Sequence, residues 1–286
     1  MRLANQLIAI KQLSELQRQL GQVRAAGKTI GLVPTMGALH AGHISLAMAS
    51  VRQCDVTVAT IFVNPTQFAE GEDLDEYPRT LQADLDKLWA AKVDFVFAPE
   101  KESIYPPGFS TSVNPPKLAE RLEGEFRPTH LGGVCTVVLK LLNMVGADIA
   151  FFGQKDFQQA AVLKQMVADL NVPTKIEVCP IIHDPDGLAM SSRNVYLSEE
   201  ERKIALSLSQ TLKYTRKQIE SGDTDAYGLM TEMRQMLIDA GVTSIDYAAI
   251  ADPDTLEVQE QITLPVVLLL AAHVGKTRLI DNELVS

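Results

Sequence analysis

Residues 29–63 read TIGLVPTMGALHAGHISLAMASVRQCDVTVATIFV, and the order of their parts decides the fold. The run at 29–33 has the character of a buried strand, and the run at 55–63 is a second, rich in β-branched residues. Between them, 44–53 carries a helical pattern. A strand, a glycine-bearing turn, a helix and a second strand make a crossover that returns the second strand parallel to the first.

The alternation continues outward in both directions. Ser14 precedes a helical pattern with Leu16, Leu20 and Val23 on one face, ended by Gly27. After residue 63 the patterns predict a helix at 80–91, a strand at 93–97, and a proline- and turn-rich loop at 100–116 with one extended piece. A helix at 134–145, a strand at 148–152, a helix at 156–170 and a strand at 175–182 follow. The expected class is α/β: a Rossmann-like, doubly wound parallel sheet covered by helices on both faces. All strand C-termini then share one edge, where ligands of open α/β sheets bind. Past residue 185 the character changes. Long polar helical patterns at 198–220 and 223–240 precede strand candidates at 244–251, 264–272 and 277–280. The turn chemistry of His183-Asp-Pro-Asp-Gly187 marks a boundary, so the expected domains are 1–184 and a smaller α+β domain at 185–286.

Composition narrows the function classes. The chain of 286 residues, 46% hydrophobic and 22% charged, is long enough to bury its core without staples. Lysine plus arginine number 26 against 36 aspartate plus glutamate, a net charge of −10 that repels a polyanion, so no nucleic-acid partner is expected. A local cationic pocket for a small anion is compatible with that average. The apolar run at 264–272 contains Pro265 and falls far short of the ~18–20 residues of a membrane helix. The run at 7–10 is too short for a signal-peptide core. No membrane association and a cytoplasmic location are therefore expected. Cys54, Cys135 and Cys179 are odd in number and far apart, without metal or redox spacing, and read as reduced, buried thiols.

Four polar clusters follow strands. The first, Pro34 to His43, has Gly37 and Gly42 for close backbone approach and a helix N-terminus for an anion. His40 and His43, three apart, suit a phosphate whose charge grows in a transition state. Asn64 and Gln67 form the second, at the end of a strand stopped by Pro65; an uncharged amide suits a carboxylate or hydroxyl substrate. The third is Gly153-Gln-Lys-Asp-Phe-Gln-Gln159. Lys155 offers a point charge, Asp156 suits either a ribose hydroxyl or a helix N-cap, and Gln159 lies one turn on. In the fourth, Met190-Ser-Ser-Arg-Asn194, two hydroxyls and a guanidinium can clamp a polyphosphate. One parallel sheet brings groups that follow its strands to one edge.

These motifs resemble those of the pantoate–β-alanine ligase, or pantothenate synthetase, family. The matching elements are P-T-M-G-A-L-H-x-G-H at 34–43, F-V-N-P-T-Q-F at 62–68, G-x-K-D-[FY]-Q-Q at 153–159 and D-G-L-A-M-S-S-R-N at 186–194. The match is detailed to about residue 200, and beyond it holds only in length and element order. H-x-G-H alone would mark only the wider nucleotidyltransferase superfamily. Gln154 stands where the family often has glutamate, and Leu131 where it often has an aromatic.

The resemblance implies that (R)-pantoate and magnesium-ATP form pantoyl adenylate and pyrophosphate. β-Alanine then displaces AMP to give pantothenate, on the route to coenzyme A. It assigns Met36, Gly37, Ala38, Leu39, His40, Ala41, Gly42 and His43 to ATP, with His43 as proton donor. Gly153, Gln154, Lys155, Asp156, Ile182, Met190, Ser191, Ser192 and Arg193 join them. Gln67 and Gln159 are implied for pantoate, Gln67 also for β-alanine, with a homodimer and the second domain as a lid. The chemistry agrees. Two anions must react, and Lys155, Arg193, His40, His43 and the helix terminus supply the offsetting charge. Pro34, Met36 and Phe62 are placed to wall a gem-dimethyl group. Residues Arg127-Pro-Thr-His130 are a further candidate for a phosphate or substrate contact.

Overall fold

A computed structural model describes residues 7–69 and 71–286. The first unit begins with strand β1 (Ile8–Ile10), helix α1 (Leu13–Ala25), strand β2 (Ile30–Thr35), helix α2 (Ala41–Gln53) and strand β3 (Val56–Ile61). Helix α3 (Leu81–Ala90), strand β4 (Phe95–Phe97) and two single-turn helices, α4 (Lys101–Ile104) and α5 (Glu123–Phe126), follow. Helix α6 (His130–Val145), strand β5 (Ile149–Gly153), helix α7 (Phe157–Asp169) and strand β6 (Lys175–Cys179) complete it. The β-branched run of β3 is buried on both faces, as a strand between helical layers must be.

The six strands pair in the order β1-β4-β3-β2-β5-β6, all parallel. From β2 the chain winds through β3 to β4 on one side, and from β5 to β6 on the other. The order therefore reverses between β2 and β5, and the crevice outside their C-terminal ends is the switch point at which such sheets bind ligands. Leu16, Leu20, Leu32, Phe95, Phe97 and Leu163 are among the fully buried residues that hold these layers together. Each such side chain contributes about 1.5–3 kcal/mol.

The chain divides into two compact units, the first running to Gly153 and resuming at Gln159–Pro180, the second comprising Gln154–Gln158 and Ile181–Ser286. In the second, helices α8 (Glu199–Glu220) and α9 (Ala226–Asp239) precede strands β7 (Ser244–Ala251), β8 (Val266–Val274) and β9 (Thr277–Val285). The strands form an antiparallel sheet in the order β7-β8-β9. Leu208, Leu212, Met233 and Leu237 of the helices cluster with Ile250, Leu268 and Leu270. Ser198 starts α8 as a reciprocal cap: its Oγ accepts Glu201 N at 3.2 Å, and the Glu201 carboxylate accepts Ser198 N at 2.8 Å.

Several local expectations shift. Helix α1 begins at Leu13, so Ser14 lies within it rather than preceding it. Residues 8–10 form an edge strand because β4 offers three backbone partners. The loop at 100–116 holds the helical turn α4 and forms no strand. Strand β9 continues past Ile280 to Val285, because β8 pairs with it along its whole length. All three cysteines are buried and free, and burial pushes the Cys135 thiol up to about 12. Among the described residues, no helix is long and apolar enough to cross a membrane.

Candidate active site

The turn from β2 to α2 is held from below by one buried carboxylate. Gly37 has φ 85° and Ala38 φ 50°, left-handed values that cost a non-glycine residue energy unless its surroundings impose them. Asp84, on α3 and fully buried, accepts the backbone N–H of Ala38 at 2.9 Å and of Leu39 at 2.8 Å. It also accepts the Thr80 hydroxyl at 3.1 Å. Lys87, one turn further along α3, donates to Leu39 O at 2.6 Å. A side chain at position 37 would press on Asp84 and Ile61.

This clamp delivers His40 to the N-cap of α2. His40 Nδ1 accepts Gly42 N at 3.2 Å, and His43 Nδ1 accepts His40 N at 3.4 Å. The two rings lie 4.0 Å apart between centroids, tilted by 42°. Because Nδ1 of each neutral ring faces a backbone N–H, its proton resides on Nε2. The backbone thus selects the tautomer in which Nε2 is the donor, at the positive end of a helix dipole.

At the end of β3, Asn64 is buried and its amide orientation is determined by its partners. Its Oδ1 accepts the Tyr105 hydroxyl at 2.8 Å and the Thr66 hydroxyl at 3.0 Å. Its Nδ2 donates to Gln67 Oε1 at 3.1 Å and Gly133 O at 3.2 Å. Gln67 Nε2 in turn donates to Met36 Sδ at 3.0 Å. Met36 and Phe62 line a cavity of about 460 Å³ whose charged lining is mixed, Lys11, Arg79 and Lys101 against Asp75, Asp84 and Glu100. The Gln67 carbonyl accepts His130 Nδ1 at 2.8 Å, so here the ring proton sits on Nδ1. Arg127 grips Glu72 through two 2.8 Å bonds. Burial raises the Glu72 carboxyl, but the Arg127 guanidinium outweighs it and holds the group below the usual carboxylate range.

Lys155 occupies a short helical turn, 154–156, that follows β5 directly and belongs to the second unit. Asn282 of β9 binds the backbone of this turn. Elsewhere in that unit, Met190 N donates to Ile182 O at 3.0 Å, bringing two of the expected nucleotide residues together. Ser191 caps the turn Ser192–Tyr196, its Oγ accepting Arg193 N at 3.2 Å. His183 Nε2 donates to Asp281 at 3.2 Å, a bond that lifts the imidazole above its ordinary value. Gln159 lies on α7, in the first unit.

Within the first unit the fold therefore joins His40 to His43 and Gln67 to Met36. Within the second it joins Ile182 to Met190 and Ser191 to Arg193. Sequence reasoning missed Asp84, Lys87, Tyr105, Glu72 and Asn282. The charges on α3 look like an ordinary solvated helix face, and nothing local ties residue 282 to residue 155.

A parallel sheet with a histidine-capped helix at its switch point defines a nucleotide-binding α/β enzyme. The family model described as pantoate-beta-alanine ligase matches residues 8–284. Pantothenate synthetase of Caldicellulosiruptor bescii is 46% identical over 279 residues, covering 98% of this chain and 99% of that protein. Pantothenate synthetase 1 of Bradyrhizobium diazoefficiens is 49% identical over 278 residues, covering 97% and 98%. The crystal structure of pantothenate synthetase from Thermus thermophilus superposes with a TM-score of 0.92 at 38% identity, covering 96% of this chain and 98% of that one. Pantoate-beta-alanine ligase from Francisella tularensis, complexed with beta-gamma ATP and beta-alanine, gives 0.83 at 35% identity and 98% of each chain. The chain belongs to the pantoate–β-alanine ligase family, and its activity is that of this ligase.

Proposed function

We propose that the chain condenses (R)-pantoate with β-alanine in two steps at the cost of one ATP. In the first, a pantoate carboxylate oxygen bonds to the α-phosphorus and the bond to the β-phosphate bridging oxygen breaks, releasing pyrophosphate. In the second, the β-alanine nitrogen bonds to the activated acyl carbon, the acyl C–O bond breaks, AMP leaves and the nitrogen loses a proton. The observation that carries this reading is the pair His40 and His43, their Nδ1 atoms engaged by backbone N–H groups at the start of α2. Nε2–H donors at a helix N-terminus suit the charge that grows on phosphate oxygens, and losing one such donor costs about 3–4 kcal/mol of barrier.

In this reading Lys155 and Arg193 add point and forked charge to the phosphates, with His43 as the proton donor. Residues 36–43, 153–156, Ile182 and 190–193 hold ATP. Gln67 and Gln159 bind the hydroxyls and carboxylate of pantoate, against the apolar surface of Pro34, Met36 and Phe62. Magnesium enters on the nucleotide as part of the substrate; among the described residues no three acidic, histidine or cysteine side chains converge as a cage for a resident ion. Residues 185–286 act as a lid that keeps water from the mixed anhydride. The family resemblance supports a cytoplasmic homodimer.

Isotope exchange tests the reading. Labelled pyrophosphate enters ATP when pantoate is present and β-alanine absent; no exchange overturns the adenylate. AMP formed one for one with pantothenate excludes a nucleotidyltransferase that leaves the nucleotide on its product.

A further inference from the structure

The turn that carries Lys155 is held by a residue 127 positions further along the chain. Asn282 is 3% exposed on β9. Its Nδ2 donates to Gln154 O at 3.0 Å and to Lys155 O at 2.9 Å. Its Oδ1 accepts Gln154 Nε2 at 3.2 Å. The three bonds admit one amide orientation, since the reverse would set Oδ1 against two carbonyl oxygens. The backbone N of Asn282 donates to Asp281 Oδ1 at 2.8 Å, and the other oxygen of that buried carboxylate accepts His183. The 154–156 turn leads directly into α7, and the Asn282 amide ties two successive carbonyls of that turn to β9.

We infer that Asn282 is a positioning residue for Lys155, a role that rests on the reading of Lys155 as a cation at the ATP phosphates. A lysine is a flexible point charge, and its value to a reacting phosphate depends on where its backbone is anchored. Asn282 supplies that anchor by fixing the carbonyl of Lys155 itself and of the residue before it. A misplacement of about 1 Å at a reacting centre can cost ~100-fold in rate.

The test uses Asn282→Ala and the isosteric Asn282→Asp, each also combined with Lys155→Ala. Pantoate-dependent pyrophosphate exchange is read at enzyme concentrations that resolve the slowed variants, beside the KM for ATP and a thermal melt. Either substitution is expected to lower the exchange kcat by about ten- to a hundredfold while the protein still melts cooperatively. In the Lys155→Ala background the same substitution is expected to cost less than about threefold, because its effect runs through the lysine. Wild-type exchange in either Asn282 variant overturns the inference. So does an equal fold-loss in both backgrounds, or the loss of cooperative melting in both variants, which mark a purely structural role. Wild-type exchange in Lys155→Ala alone instead overturns the assignment of Lys155 to the phosphates.

Discussion

The carboxylate of Asp84 stands 2.8 Å from the backbone nitrogen of Leu39, the residue before the histidine that caps α2. One buried side chain on α3 thus satisfies two consecutive N–H groups of a left-handed turn. Asp84→Asn keeps the volume but turns an NH₂ group toward one of those donors. We expect a loss of about 1–3 kcal/mol, read by urea unfolding. Pyrophosphate exchange should fall at least about tenfold as His40 loses its anchor. Unchanged stability and exchange would mean that the turn holds itself.

Adjacent glycines on α6 should respond in opposite directions. A Cβ at Gly133 would overlap the Thr66 carbonyl oxygen and stand 2.8 Å from the Gln67 Cα, both backbone atoms that cannot swing aside. At Gly132 the nearest atom is 3.8 Å away. Gly132→Ala should be neutral or stabilising by up to about 1 kcal/mol, as alanine is the better helix former. Gly133→Ala should destabilise the protein and raise the KM for pantoate by displacing Gln67. Equal melting temperatures for the two variants would refute the close approach.

The His183–Asp281 pair predicts a stability dependence in the neutral range. The carboxylate bond raises the imidazole above its ordinary value, with burial and Lys213 opposing and the charge of Glu283 assisting. A raised folded value favours the protonated native state. The extra stability is therefore fully present below about pH 6.5 and is lost as pH rises through the folded value. His183→Gln should cost most at pH 5.5–6 and progressively less toward pH 8, measured as melting temperature across that range. A gap that widens with pH would reverse the sign and exclude the linkage.

Glu72 should behave in the opposite sense. Burial pushes its carboxyl up, yet Arg127 more than offsets this and holds it low. Its contribution is present above the unfolded value, near 4.5, and disappears as pH falls through the lower folded value. Glu72→Gln should thus be less stable than the parent at pH 7 and converge with it in acid, below about pH 4. Parallel unfolding curves across that range would show that the ion pair with Arg127 adds nothing.

How far the sequence could be read depended on the range of the interaction. Strand β2, the glycine turn, the histidines of α2 and strand β3 are legible because periodicity, glycine and helix capping act over a few residues. Strand β1 is three residues long and exists only because β4 supplies partners. Read locally, the pattern of β9 ends at Ile280, since Asp281 and Asn282 are polar; in the fold both are buried, one against His183 and the other against the 154–156 turn. Arg127 and His130, candidate ligand contacts in the sequence, are each held by a group far away in the chain, Glu72 and the Gln67 carbonyl, which no local pattern indicates.

The amino-acid order alone determined the alternating α/β class, the histidine-capped helix and the family to which these motifs belong. Only tertiary structure decided which buried groups hold the candidate site residues: Asp84 beneath the histidine turn, Asn64 beside Gln67, and Asn282 behind Lys155. Helix and strand periods are set by neighbours a few residues apart. A hydrogen bond between residues 127 apart has no local signature, because it forms only when folding closes the loop between them.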